Sequence, residues 1–396
     1  MVHALIVLFP ALTLIVSDVI VMDTGPPSAV SMDARRVGGH DRGLVTYGLS
    51  TMLCMGDPTN LDAAYERLHT TGPEFEGWLS NHGPMAADAL IRLGRGGAVE
   101  AWLDAYCDRL EGLPAPRWAI ADDWREFLGD ASRLGDWLTY FAGVLLECPW
   151  RDVLSQWWPR LLPGAPGAAT HGLIRTGHAV RALLEAETPP RVSELAQALG
   201  YWAARWEPLA GATRPRGVLL PGAALEHLQG TRTTGGFRTQ LAALGESPGW
   251  PASMSVLKAV ASPEDVPGAF DVVVDAAVDY YLRWGHGNPI MMVHAATAPR
   301  AAALVLPAIP VDLWVETYDT AWGVCAAVAS AYRPSTPYAP ARQSIDLEAV
   351  IDEAVHGGDE HAIKFAEVAA ESHRRGRSSA VAAAARANEL INQASE

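Results

Sequence analysis

Cysteine is scarce in this chain of 396 residues: four in all (Cys54, Cys107, Cys148 and Cys325), with no C-x-x-C pair. That argues against a disulfide framework and a thiolate zinc site and fits a reducing cytoplasm, the location we expect. Any metal would then be held by imidazole and oxygen ligands. Positive charge is also in short supply. Thirty Lys and Arg against 45 Asp and Glu leave a formal charge of −15, which speaks against a nucleic-acid partner and against stable association with an anionic membrane. Charged residues are 19% and hydrophobic ones 49%, so a large core is supplied and the composition is that of a folded globular protein.

Alternating apolar and polar runs are nearly absent, which disfavours an all-β or sheet-centred α/β fold. Internal repeats and coiled-coil heptads are missing too. No G-x-G-x-x-G follows a strand; Gly94-Arg95-Gly96-Gly97 lacks the spacing. There is no G-x-x-x-x-G-K-[ST], H-E-x-x-H or G-x-S-x-G. A self-contained dinucleotide enzyme is therefore not expected, and no NADPH-binding motif is seen. The single E-x-x-H, Glu353 to His356, is half of what a di-iron carboxylate bundle needs.

What is present is helical periodicity. Apolar residues three or four apart predict helices after Asn60, after Pro84 and through Val99–Leu110. Further helices are expected at about 123–131, 133–147, 150–158, 168–187, 191–206, 270–284, 290–304, 312–332, 346–356 and 359–373. The fold class is all-α: a single large helical domain with long irregular loops, spanning 57–375. The stretch 207–255, rich in Gly, Thr and Arg, reads as a long loop or lid. An alanine-rich tail, 376–396, is expected as a peripheral helix. Residues 1–21 are apolar but carry Asp18 and Pro10 and lack a preceding Lys or Arg. They read as a segment outside the native protein, with Met22 or Met32 as the true start, rather than as a signal or anchor. Fourteen tryptophans suggest aromatic core packing; a slot for a flat aromatic ligand is the alternative.

Twelve histidines are present, and five sit in informative contexts. His171 and His178 are seven residues apart on one expected helix, hence on one face about 10.5 Å apart along the axis. That pair alone is a weak metal signal. His294 lies inside an apolar helix, where a buried imidazole needs a partner, with Thr297 one turn on. His82 comes just before a helix start in Asn81-His82-Gly83-Pro84. His361 and Lys364 are one turn apart on another helix and can meet one site. A lysine desolvated among cations loses its proton, and the neutral amine can add carbon dioxide to give a carbamate, an anionic oxygen ligand. By pattern alone Lys364 reads instead as a solvated lysine on a charged helix, with the carbamate as the alternative.

Taken in order, Asn81-His82-Gly83-Pro84 with Ala86–Leu93, His171-Gly172 with Arg175 and His178-Ala179, His294 with Thr297, and His361 with Lys364 resemble the questin oxidase-like family, over about residues 60–375. Members of that family are helical oxygenases acting on anthraquinone-type polyketide rings. Some are described as Baeyer–Villiger oxidases, and at least one resembles a non-haem iron dioxygenase with four histidines and a carboxylated lysine. The resemblance implies His171, His178, His294 and His361 as ligands of Fe(II), Lys364 as the carbamate, and His82 and Thr297 as catalytic neighbours. It implies O₂ as co-substrate, a small aromatic polyketide as substrate, and ring oxidation or C–C cleavage. An NADPH-dependent Baeyer–Villiger-type oxidase, a zinc hydrolase on the same ligands and a non-catalytic polyketide-binding protein are the rival readings.

Overall fold

A computed structural model describes residues 58–231, 233–339 and 345–395; the expectation for 1–21 lies outside them. Helix follows helix from the first described residue: α1 (Pro58–Leu68), α2 (Gly83–Arg92), α3 (Val99–Cys107), α4 (Leu134–Glu147), α5 (Trp150–Leu161), α6 (His171–Glu185) and α7 (Pro189–Ala204). The second half has α8 (Pro221–His227), α9 (Phe237–Glu246), α10 (Trp250–Ser255), α11 (Val266–Trp284), α12 (Pro289–Met292) and α13 (His294–Val305). It closes with α14 (Trp314–Ala331), α15 (Leu347–Gly357), α16 (Glu360–Arg374) and α17 (Ser379–Ser395). The only strands among the described residues are a two-residue hairpin pair, β1 (Glu74–Phe75) against β2 (Leu79–Ser80). The all-α expectation stands.

Buried α6 occupies the centre, packed against α2, α7 and α13, while α16 lies on α2 and α13. Two close approaches explain its glycines. A Cβ on Gly172 would lie 2.6 Å from the Trp202 Cβ, and one on Gly177 would lie 2.4 Å from the Ala301 carbonyl oxygen. Only glycine lets α6 sit this near α7 and α13. A buried ion pair adds direction. Arg175 grips Glu194 of α7 with two bonds, at 2.5 and 2.8 Å, and His69, just past α1, completes the carboxylate at 2.8 Å.

Of the tryptophans between residues 118 and 158, Trp124, Trp137, Trp150, Trp157 and Trp158 are buried in the core. Trp157 meets Trp124, Trp137 and Phe141 edge-on with ring centroids 4.9, 5.7 and 4.9 Å apart, a geometry worth about 0.5–1.5 kcal/mol per pair beyond area burial. Trp118 alone of that group is exposed.

Several boundaries differ from expectation for physical reasons. The expected helix at 123–131 is a single 3₁₀ turn, Trp124–Phe127, because Gly129 takes a left-handed backbone with φ 79°. The expected 290–304 helix is broken into α12 and α13. Region 207–255 is not one irregular lid: it folds into α8, α9 and α10, with Gly217 and Leu219 paired in parallel to Lys258 and Leu257. The tail is not peripheral either. Helix α17 lays Ala380, Ala383, Ala384, Ala387 and Ile391, all buried, on α16 and α11. One described stretch, Pro289–Ala308, is long and apolar enough to cross a membrane; it is 67% buried inside the fold.

Candidate metal centre

Four histidines meet where four helices begin. His82 is the residue before α2, His171 opens α6, His294 opens α13, and His361 is the second residue of α16. Their rings form one contact group, with centroids 4.4 Å apart for His82–His171, 4.6 Å for His82–His361, 4.8 Å for His171–His294 and 5.5 Å for His294–His361. All four are buried. His82, His171 and His361 each offer one ring nitrogen within 4.8 Å of the others.

The far nitrogens explain which way the rings face. His171 Nδ1 is 2.6 Å from the Ala168 carbonyl oxygen, and His294 Nδ1 is 3.1 Å from that of Met291. A carbonyl only accepts, so each Nδ1 carries the hydrogen and each Nε2 is left with a bare lone pair. His82 Nδ1 lies 3.1 Å from Glu360 Oε1, and His361 Nδ1 lies 3.3 Å from Asp359 Oδ1. Both carboxylates are close without being aligned as full hydrogen bonds, and both select the same tautomer. The result is lone pair against lone pair. His171 Nε2 is 2.6 Å from His82 Nε2 and 3.0 Å from His294 Nε2.

A proton shared by one pair would still leave the second contact repulsive. A metal ion relieves both, and metal–nitrogen bonds of about 2.0–2.1 Å put adjacent ligands about 3 Å apart.

Charge fits the same conclusion. Burial, then the neighbouring cations, lowers His82 to about 3, and burial with the surrounding rings holds His171 and His294 well below the usual imidazole range. All three are thus neutral at physiological pH, as ligands must be. Burial opposes ionisation of Glu360, but His82, His361 and Arg109 outweigh it and keep the carboxyl ionised.

Lys364 is one turn from His361, 1% exposed, and its Nζ has no hydrogen-bond partner. Burial brings it down to about 8, against the pull of Glu360 and Asp359. An orphaned ammonium among four positive helix ends is the costliest form that side chain can take. A neutral amine, or its carbamate facing a cation, fits far better.

Strain prepares His171. Ala168, Ala169 and Thr170 have φ of 47°, 53° and 74°, three successive left-handed residues without a glycine. Each costs free energy. Together they turn the Ala168 carbonyl back onto the His171 ring. This turn replaces the helix start expected at 168, since alanine and threonine carry no sequence mark for it.

The remaining expected site residues lie differently. His178 is buried on α6, with Nδ1 2.8 Å from Asp88 Oδ2 and Arg181 on the same carboxylate at 2.5 Å. No ring contact joins His178 to the other four histidines among the described residues. Two helical turns separate it from His171, and nothing bends the two together. Thr297 is buried and donates to the Val293 carbonyl at 3.2 Å, so its hydroxyl proton is already used by the helix. His82, expected as a neighbour of the metal, lies within the cluster. The supporting residues Asp359, Glu360, Asp88 and Arg109 carry no motif. The one signal was a pair of acids directly before a histidine at a helix start.

Region 207–255 contributes Leu209, Arg214 and Met254 to a cavity of about 230 Å³ that also takes Pro166 and Asp319; none of the cluster histidines lines it. Burial raises Asp319 to about 6, against Arg214. No protein-family model matches the chain, and no curated protein matches it.

Proposed function

We propose that the protein is a non-haem iron-dependent oxygenase of the questin oxidase-like kind, oxidising or cleaving a ring of an aromatic polyketide. The observation that carries the metal part is the meeting of bare Nε2 lone pairs around His171 beside the partnerless Nζ of Lys364. The redox chemistry and the substrate class come from the family resemblance. His82, His171, His294 and His361 would hold the ion, and Lys364, as a carbamate, would supply the anionic oxygen. Nitrogen-rich sites with one oxyanion suit Fe(II), although zinc and manganese accept similar sets.

Iron would supply one-electron exchange with O₂. The protein's own part is to keep His82, His171 and His294 neutral, to aim the Nε2 atoms of the four rings and to exclude bulk water around them. The Nδ1 contacts to Ala168, Met291, Glu360 and Asp359 do the aiming. His178, tied to Asp88, would hold α6 to α2 rather than ligate.

The test is elemental analysis of purified protein with oxygen uptake on reduced hydroxyanthraquinones. We expect one iron per chain and oxygen consumption without NADPH. Obligatory NADPH consumption would support the Baeyer–Villiger-type oxidase. Zinc without oxygen uptake would support a hydrolase, and no metal at all would end the metal reading.

A further inference from the structure

We infer that Glu360, held by Arg109, is the positioning residue that fixes the tautomer of His82 and so decides whether that ring can serve the metal. The inference rests on the metal reading above. The chain of contacts runs inward from the surface. Arg109, partly exposed just beyond α3, bonds Glu360 Oε2 at 2.8 Å and lies over the Tyr106 ring, 4.0 Å from its centroid. The Tyr106 hydroxyl accepts the His82 backbone N–H at 2.6 Å. Glu360 Oε1 lies 3.1 Å from His82 Nδ1, whose Nε2 is 2.6 Å from His171 Nε2. Backbone and ring of His82 are thus both contacted by one connected unit, Tyr106–Arg109–Glu360.

His82 needs such a unit where its neighbours do not. His171 and His294 get their tautomer from carbonyls three residues back in their own chain, and His361 has Asp359 two residues away. These contacts are local, so helix geometry supplies them. His82 sits before α2, and its Nδ1 partner comes from α16, 278 residues later in the chain. A carboxylate can only accept, so its approach to 3.1 Å, although not aligned as a full hydrogen bond, favours a hydrogen on Nδ1 and leaves Nε2 free. Glutamine fills the same space and can keep an oxygen on Arg109. Its amide would then present N–H to His82 Nδ1, moving the ring hydrogen to Nε2 and taking that lone pair away.

The experiment compares wild type, Glu360→Gln and Arg109→Lys in two readouts. The tautomer of His82 is read in metal-free protein by two-bond ¹H–¹⁵N correlation of histidine-labelled samples. Affinity is read by titrating Co(II), followed in its visible absorption. We expect Nδ1–H in wild type and Nε2–H in Glu360→Gln, with Co(II) affinity lower by about 10–100-fold. Arg109→Lys keeps the carboxylate, so its tautomer should be that of wild type and its affinity should fall much less. An unchanged tautomer in folded Glu360→Gln, or full Co(II) affinity despite the change, overturns the inference. Failure of wild type itself to bind Co(II) overturns instead the metal reading on which it rests.

Discussion

Lys364 is the residue whose state most affects its surroundings. Charged and without a partner, it destabilises the metal-free protein at neutral pH. Lys364→Met, of similar length and apolar, should therefore stabilise that form by about 1–3 kcal/mol in thermal or denaturant unfolding. Its folded value near 8 lies below the ordinary 10.5, so the neutral amine is the form the fold favours. The advantage of the variant should shrink as pH rises from 8 towards 10.5. The same variant should lose most of its metal. An Nζ with a hidden structural partner would give the opposite sign, a destabilised variant.

The histidines set a second pH dependence. His82, His171 and His294 have folded values below the ordinary 6.5, His82 at about 3. The unfolded chain therefore takes up protons first as pH falls. Their stabilising contribution is whole above 6.5 and is lost as pH falls below it, for His82 down to about 3, at up to about 1.4 kcal/mol per pH unit for each ring. Denaturant unfolding of metal-free protein between pH 7 and 4 checks this; a flat profile there would show that the rings are not buried neutral.

At this scale much of the site was legible. His294 stood in an apolar context that asked for a partner, and His171 and His361 lay on candidate helix faces, whereas Lys364 entered the site only through the family resemblance. His178 was preferred to His82 because sequence order cannot tell a histidine tied to Asp88 from one facing a metal. That choice depends on Glu360 and Asp88, which reach their histidines from other helices.

Among elements, the site depends on how close α6 comes to α13, for that spacing sets the His171–His294 distance. Gly177→Ala would put its Cβ 2.4 Å from the Ala301 carbonyl oxygen. We expect a loss of about 1–3 kcal/mol and weaker metal binding, since the two histidine-bearing helix starts move apart. Differential scanning calorimetry with a Co(II) titration separates the two effects; full stability and full affinity would show that the crossing tolerates the extra methyl. Helix positions were readable from apolar spacing because most helices bury one face and keep the 3.6-residue period. The left-handed turn at Ala168–Thr170 was not. Its residues favour helix locally, and it persists because the surrounding packing, with Gly167 against the Arg205 carbonyl, forces the turn.

For the whole molecule, four helices far apart in sequence bring their first turns to one point, and α17 closes the bundle behind α16. Deleting 376–396 would expose the apolar face under Ala380–Ile391 and should abolish cooperative unfolding, checked by circular dichroism melts. An unchanged melt would return the tail to the periphery. The all-α class was legible from missing strand patterns and regular apolar spacing. The convergence was not, since no spacing within one chain segment encodes which helix starts will meet.

The most direct test of the metal centre is X-ray absorption at the iron edge of protein loaded anaerobically with Fe(II). We expect one bound iron per chain, with nitrogen and oxygen neighbours and the outer-shell scattering of several imidazole rings, lost in His171→Ala. Iron that does not bind, or binds without imidazole scattering, would contradict it.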